Sequence, residues 1–220
     1  MRLSAVIWDW NGTLLDDVQY AMGCMNRLLQ SNRMPVLTRS KYRAVFGFPV
    51  EDYYRRVGFD LRSHSFTELS RQFIDHYYSN MNSPGLYRGA LKTIRKLKES
   101  GITQGILSAM EEGPLHRQLE HNRIREYMDI VQGLDNINAR SKVEKGREML
   151  DKLGSQANGV IYIGDTRHDL EVAHELGIPV ILLNHGHQQD PSGGDQAVTV
   201  LDSFDDLWLE LGQRYSANRG

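Results

Sequence analysis

Short apolar runs and amphipathic stretches alternate along most of this 220-residue chain. "LSAVIWDW" from Leu3, "TQGILSA" from Thr103, "MDIVQG" from Met128, "GVIYIGD" from Gly159 and "PVILLN" from Pro179 read as strands buried on both faces. They are too short and too rich in β-branched residues for helices. Between them the period changes. "GALKTIRKLKESG" sets Leu91, Ile94 and Leu97 on one stripe and stops at Gly101. "KVEKGREMLDKLG" and "TRHDLEVAHELG" stop in the same way at Gly154 and Gly177. Such alternation predicts an α/β fold, a doubly wound parallel sheet covered by helices. "VTVLDSFDDLWLELGQ" closes it as an edge strand and a last helix, with Ser203 as the N-cap.

One interval breaks the alternation. Between Asp16 and Ser83 no strand pattern occurs, and four helices are predicted instead. "DDVQYAMGCMNRLLQS" carries the stripe Val18, Ala21, Met22, Met25, Leu28 and Leu29, and "TRSKYRAVFG", "PVEDYYRRVG" and "FTELSRQFIDHYYSNM" follow. "NSPGLYRG" has the Pro and Gly of a return hinge. The chain thus divides into a core of residues 1–15 and 84–220 and an all-helical insertion of residues 16–83.

Composition narrows the partners. Hydrophobic residues make up 40% and charged residues 25%, ordinary for a soluble globular protein. A net charge of −2 gives no basic footprint for nucleic acid, so an anionic ligand must be attracted by local charge. The longest apolar run, "PVILL", is far too short to span a bilayer, and Ser4 and Asp9 interrupt what a secretion signal needs. The single cysteine, Cys24, lies among Met22, Met25 and Leu28 and packs as a small hydrophobe, in keeping with a reducing cytosol. The expectation is a cytoplasmic monomer or homodimer with no nucleic-acid or membrane partner.

In a doubly wound sheet, ligands sit outside the carboxyl ends of the strands. Those ends carry Asp9, Asn11, Gly12 and Thr13, then Ser108, then Ser141 and Lys142 at a helix start, then Asp165 and Asp169. A carboxylate ending an apolar strand is costly without a cation or hydrogen bonds to compensate it. Asp9 and Asp165 can jointly hold a hard cation such as Mg²⁺, which leaves positions for substrate phosphate oxygens.

"DWNGTLLDD", "ILSA", "SKVEKG" and "GDTRHDLEVAHELG" together resemble, in order and spacing, the four motifs of the haloacid dehalogenase superfamily. The match covers nearly the whole chain, and phosphoglycolate-phosphatase-like hydrolases are the nearest look-alikes. The resemblance implies a Rossmann-like core with the insertion as a helical C1 cap. It further implies a Mg²⁺-dependent phosphatase that acts on a small phosphorylated metabolite. In it Asp9 would be the nucleophile that forms an aspartyl-phosphate. The metal would be held by Asp9, the Asn11 backbone carbonyl and Asp165, with Asp169 orienting the metal's waters or the lysine. Ser108 and backbone N–H groups at Asn11 and Gly12 would hold the phosphoryl oxygens, and Lys142 would neutralise charge.

Several residues have competing readings. Arg140 and Lys145 compete with Lys142, Ser108 can be a turn hydroxyl, and any acid is favoured where Asp169 stands at a helix N-terminus. His185 and His187 read as a solvated pair in a polar loop, and Tyr53, Tyr54, Tyr77 and Tyr78 as packing. The loop Phe46-Gly47-Phe48 before Pro49 is the candidate for reading the substrate from the cap.

Phosphatases of the superfamily usually carry Asp where this chain has Asn11. An amide exchanges no proton at neutral pH, and general acid–base catalysis is typically worth about 10²–10⁴-fold. The reading is therefore a slow phosphatase, in which Asn11→Asp should raise turnover at least about tenfold if the missing acid is limiting. Alternatives are phosphonatase-like chemistry through Lys41, the cap's only lysine, and a non-catalytic phosphate-binding module.

Overall fold

The computed structural model of the chain describes residues 2–134 and 142–214, apart from the side chains at 155–157 and 214. Six strands form one parallel sheet: β1 (Ala5–Trp8), β2 (Thr103–Glu111), β3 (Ile130–Leu134), β4 (Val160–Gly164), β5 (Val180–Leu183) and β6 (Thr199–Leu201), in the order β3-β2-β1-β4-β5-β6. Each is the strand its apolar run predicts. The register sets Trp8 between Ile106 and Ile163, so β1, β2 and β4 end at one edge.

Alternation within the strands feeds two apolar layers. Val6, Trp8, Ile161 and Ile163 face one side, while Ala5, Ile7, Val160 and Tyr162 face the other. Helices α7 (Lys142–Leu153) and α8 (Arg167–Leu176) cover the second side through Met149, Leu153, Val172 and Ala173. On the first side lie α5 (Ala90–Glu99), α6 (Glu112–His121) and α9 (Phe204–Arg214). A large apolar side chain sealed in such a layer contributes about 1.5–3 kcal/mol relative to exposure. Trp8 and Trp10 are sealed completely, and their indole N–H groups donate to Gln104 and Gln118 at 3.2 and 2.7 Å.

Between β1 and α5 run α1 (Val18–Ser31), α2 (Arg39–Val45), α3 (Val50–Val57) and α4 (Phe66–Tyr78), the four helices expected there. Thr38 caps α2 and Ser65 caps α4 with their hydroxyls. Helix α1 packs on α2 and α4, and α2 on α3. One apolar cluster passes from the sheet through Trp10, Leu14, Leu15 and Val18 into these helices.

Two features depart from the sequence pattern. β2 runs past Ser108 to Glu111, with its pairing to β3 shifted between Leu107 and Glu111. Helix α6 follows at once, in a stretch where "EGP" reads as a break. Pro114 falls in its first turn, where backbone N–H groups have no helical partner and a proline costs nothing. At the other end of the chain Ser203 accepts from the Asp206 N–H at 3.1 Å, the cap expected for α9. No helix among the described residues is long and apolar enough to cross a membrane.

Candidate active site

β1 and β4 are neighbours, so the residues that follow them, Asp9 and Asp165, emerge side by side. The Asp9 N–H continues the ladder to the Ile163 carbonyl at 2.8 Å. Both side chains are buried, and the Thr13 hydroxyl lies between them, 3.2 Å from Asp9 Oδ2 and 2.8 Å from Asp165 Oδ1. Lys142, the first residue of α7, brings its ammonium to 2.5 Å from Asp9 and 2.7 Å from Asp169. Oxygens of Asp9, Asp165 and Asp169 lie within 4.8 Å of one another, an acidic triad able to hold a metal cation.

Asp169 is already satisfied. Lys142 and the Tyr162 hydroxyl donate to one oxygen; the Thr166 hydroxyl and the N–H groups of Asp165 and Thr166 donate to the other. Five donors use up the lone pairs of one carboxylate. Asp169 is both a member of the capping box of α8 and the anchor of the lysine.

The charges follow from this geometry. Burial lifts the Asp9 carboxyl to about 6 even though Lys142 opposes it. Burial also pushes Asp165 well above the carboxylate range, with Asp9 and Asp169 adding to it and His187 only partly countering. For Asp169 burial acts upward, but Lys142 and Thr166 outweigh it and hold the group low. The ammonium of Lys142 is desolvated, yet Asp169 and Asp9 keep it charged far beyond its usual range.

The turn after Asp9 is shaped by close approach. Gly12 has φ +78°, and a Cβ there would sit 2.4 Å from the His187 ring and 2.5 Å from Asp165. Gly186 likewise lets its loop press on Asp165, where a Cβ would fall 2.1 Å from Oδ2. The Gly12 N–H is directed inward, to the Leu15 carbonyl and to Asp17 at 2.9 Å. The Asn11 amide donates to Asp17 at 2.9 Å and to the Tyr77 hydroxyl at 2.8 Å. Ser108 is buried two residues beyond Ile106, the partner of Trp8, and its hydroxyl accepts from the Met110 N–H at 3.1 Å. Lys145 is buried one turn along α7 with Glu148 at 3.7 Å, while Arg140 and Ser141 lie outside the described residues.

The loop between α2 and α3 of the helical insertion reaches this rim. Phe46 stacks on His187 with ring centroids 4.9 Å apart, Phe48 stacks on His168 at 4.5 Å, and Gly47 lies against Arg56 and Gln188. Lys41 stands on the exposed side of α2, opposite the buried Tyr42 and Val45.

Two readings of the sequence need correction. His187 is not solvated: it is buried, its Nε2 is 3.1 Å from Asp17, its Nδ1 is 2.9 Å from the Tyr42 hydroxyl, and its N–H donates to Asp165 at 2.6 Å. His185 is half-buried, its ring tilted against Tyr87 with centroids 3.8 Å apart, and in contact with the Thr13 carbonyl. Tyr53 and Tyr54 are buried packing residues, but Tyr77 is more, since its hydroxyl donates to Asp17 at 2.7 Å. Burial disfavours the His187 cation, yet Asp17 outweighs it and raises the imidazole to about 9. The reverse holds for Asp17, where His187, Tyr77 and Asn11 overcome burial and lower the carboxyl. The second acid of "DD" gave the only hint of Asp17, and it reads equally well as a helix start.

The sequence pattern of the haloacid dehalogenase-like hydrolases matches residues 6–183 of the chain. A phosphoglycolate phosphatase of Rhodospirillum rubrum is 26% identical over 222 residues, covering 95% of this chain and 92% of that protein. The crystal structure of a predicted phosphatase from Clostridium acetobutylicum superposes with a TM-score of 0.82 at 20% identity, over 97% of this chain and 100% of that one. Protein tyrosine kinase A of Mycobacterium tuberculosis gives 0.83 at 22% identity, over 96% and 99%. Structural likeness at such identities establishes the fold, and the two names attached to it differ in activity. With the four motifs at neighbouring strand ends of a Rossmann-like parallel sheet, and the family pattern spanning all of them, this chain belongs to the haloacid dehalogenase-like hydrolases.

Proposed function

We propose that the chain is a Mg²⁺-dependent phosphatase of a small phosphorylated metabolite, working in the cytoplasm as a monomer or homodimer, with residues 16–83 as a cap over the core. One observation carries the reading. In the buried cluster four carboxylates, Asp9, Asp17, Asp165 and Asp169, face two cations, Lys142 and His187. With all four ionised the excess is two negative charges, which one divalent cation would balance, and the raised Asp9 and Asp165 carboxyls are the ones its binding would deprotonate. Asp9, Asp165 and the Asn11 carbonyl would hold it, and it would shield the carboxylates from an incoming phosphate.

Asp9 attacks phosphorus, the bond to the leaving oxygen breaks, and the phosphoryl group rests on the carboxylate as an acyl phosphate. Water then attacks that phosphorus, releasing inorganic phosphate and the free carboxylate. Lys142 balances the charge gathering on the phosphoryl oxygens, Asp169 keeps its ammonium in place, and Ser108 serves the same oxygens. The Asn11 amide delivers no proton, so the leaving oxygen takes one from water and turnover is slow. Phe46, Gly47 and Phe48 close the rim and select the substrate. The name of the Rhodospirillum rubrum relative makes small phosphorylated carboxylic acids the first class to try. The phosphonatase alternative is disfavoured by the exposure of Lys41.

A panel of phosphate esters and phosphonates, assayed with and without Mg²⁺, tests the reading. Phosphate release that needs Mg²⁺ and disappears in Asp9→Asn supports it. Metal-independent release, or release that survives Asp9→Asn, overturns it.

A further inference from the structure

Asp17 has no part in the mechanism above, yet it is the most heavily bonded acid of the cap hinge. It is 1% exposed. One oxygen accepts from the Gly12 N–H at 2.9 Å and faces His187 Nε2 at 3.1 Å. The other accepts from Asn11 Nδ2 at 2.9 Å and the Tyr77 hydroxyl at 2.7 Å. Gly12 and Asn11 belong to the turn that carries the nucleophile, Tyr77 to α4, and His187 to the loop that presses on Asp165. Tyr42 on α2 completes the set by contacting His187 Nδ1. A single carboxylate therefore joins the catalytic turn, the helical insertion and the loop after β5.

We propose that Asp17 is a positioning residue for the turn bearing Asp9, and that its carboxylate, not the chemistry at phosphorus, dictates an amide at position 11. Asn11, Tyr77 and Asp17 form a closed ring. The amide spends one proton on Asp17 and the other on the tyrosine oxygen, and the tyrosine spends its proton on Asp17. An aspartate at position 11 would set two acceptors against each other with no proton between them, inside a buried cluster. An asparagine at position 17, alone, would turn donor toward donor until the Asn11 amide reverses, and would take the carboxylate away from the His187 imidazolium. The exchange of both, Asn11→Asp with Asp17→Asn, restores every hydrogen bond and moves the negative charge from position 17 to position 11, so that His187 faces an amide oxygen. The new amide oxygen accepts from Gly12 and His187, and its nitrogen donates to position 11 and to Tyr77. Acid at 17 and amide at 11 are complementary, and position 11 cannot be changed by itself.

The proposal rests on the phosphatase reading only for its kinetic readout. The four proteins of this cycle are assayed on an aryl phosphate with Mg²⁺ at 20 °C, and their thermal midpoints are measured alongside. Each single substitution is expected to lower kcat about tenfold or more with KM within about threefold, because it misplaces the nucleophile. The double variant is expected to return kcat to at least about a third of the parent's, far above the product of the singles, and above the parent where the acid now at position 11 supplies the missing proton. A rise of kcat in Asn11→Asp overturns the proposal, and so does a double variant no better than additive. Midpoints that move while kcat stays level also overturn it, since a purely structural residue behaves that way. If the parent turns nothing over, the phosphatase reading and the positioning role fail together, and the midpoints decide only the pairing of acid at 17 with amide at 11: recovery in the double variant supports that pairing and additive midpoints refute it. Should Asp17→Asn not fold, Tyr77→Phe removes one bond of the ring, and a kcat unchanged within error refutes the proposal.

Discussion

Two buried polar clusters meet at the carboxyl edge of the sheet, and they are assembled by different means. Asp9, Asp165, Asp169 and Lys142 come from strand ends and helix starts of the core, set side by side by parallel register. Asn11, Asp17, Tyr77 and His187 come from a turn, a hinge, the insertion and a loop, and only tertiary packing joins them. The first cluster sets three carboxyl groups against one ammonium. The second is internally balanced, with one acid, one imidazolium and a closed ring of hydrogen bonds. The contrast separates groups placed to react from groups placed to hold.

Substitutions should divide along the same line. Removing the proposed nucleophile with Asp9→Asn is expected to cost phosphatase activity at least about 10³-fold while the fold survives, read by phosphate release and circular dichroism. Loss of Lys142 comes next. Lys142→Ala strands two buried carboxylates, so we expect a stability loss of about 3–5 kcal/mol in denaturant titrations. The Asp9 carboxyl should titrate higher in that variant, because burial then acts without the opposing ammonium.

The balanced cluster should show itself in pH dependence instead. His187 is raised to about 9 in the folded chain against an ordinary 6.5, so its contribution is complete below pH 6.5 and is lost as pH rises through 9. The shift corresponds to about 3 kcal/mol. Asp17, held below its ordinary 3.8, contributes above that pH and loses its share as pH falls through its lowered value. Denaturation midpoints should therefore decline between pH 6.5 and 9.5, and in His187→Gln that decline should largely disappear. The smallest effect belongs to the cap loop. Phe48→Ala removes one stacked ring pair with His168, worth about 0.5–1.5 kcal/mol, and should raise KM severalfold with kcat nearly unchanged.

The same division sets what the sequence discloses. The five inner strands follow from apolar runs, because a strand buried on both faces leaves few polar positions, while β6, with Val200 exposed, follows from its edge-strand pattern. Asp9 and Asp165 stand out for the same reason, as acids that end such runs. Helix α6 is hidden because "EGP" punctuates like a turn, and only the tolerance of a first helical turn for proline rescues it. Asp17 and His187 leave even less trace. A histidine between glutamine and glycine looks solvated until a cap tyrosine, a stacked Phe46 and a hinge aspartate are seen to enclose it. Position 11 is the instructive case. Read alone, its amide is a missing acid; beside Asp17 and Tyr77 it is the donor that the cluster requires.

Asp9 and Asp165 are proposed to share one divalent cation. Calorimetric titration of Mg²⁺ or Mn²⁺ into the parent and into Asp165→Asn tests it directly. One ion per chain is expected in the parent, with at least about a tenfold weaker affinity in the variant. No binding by the parent, or binding that Asp165→Asn leaves untouched, would contradict it.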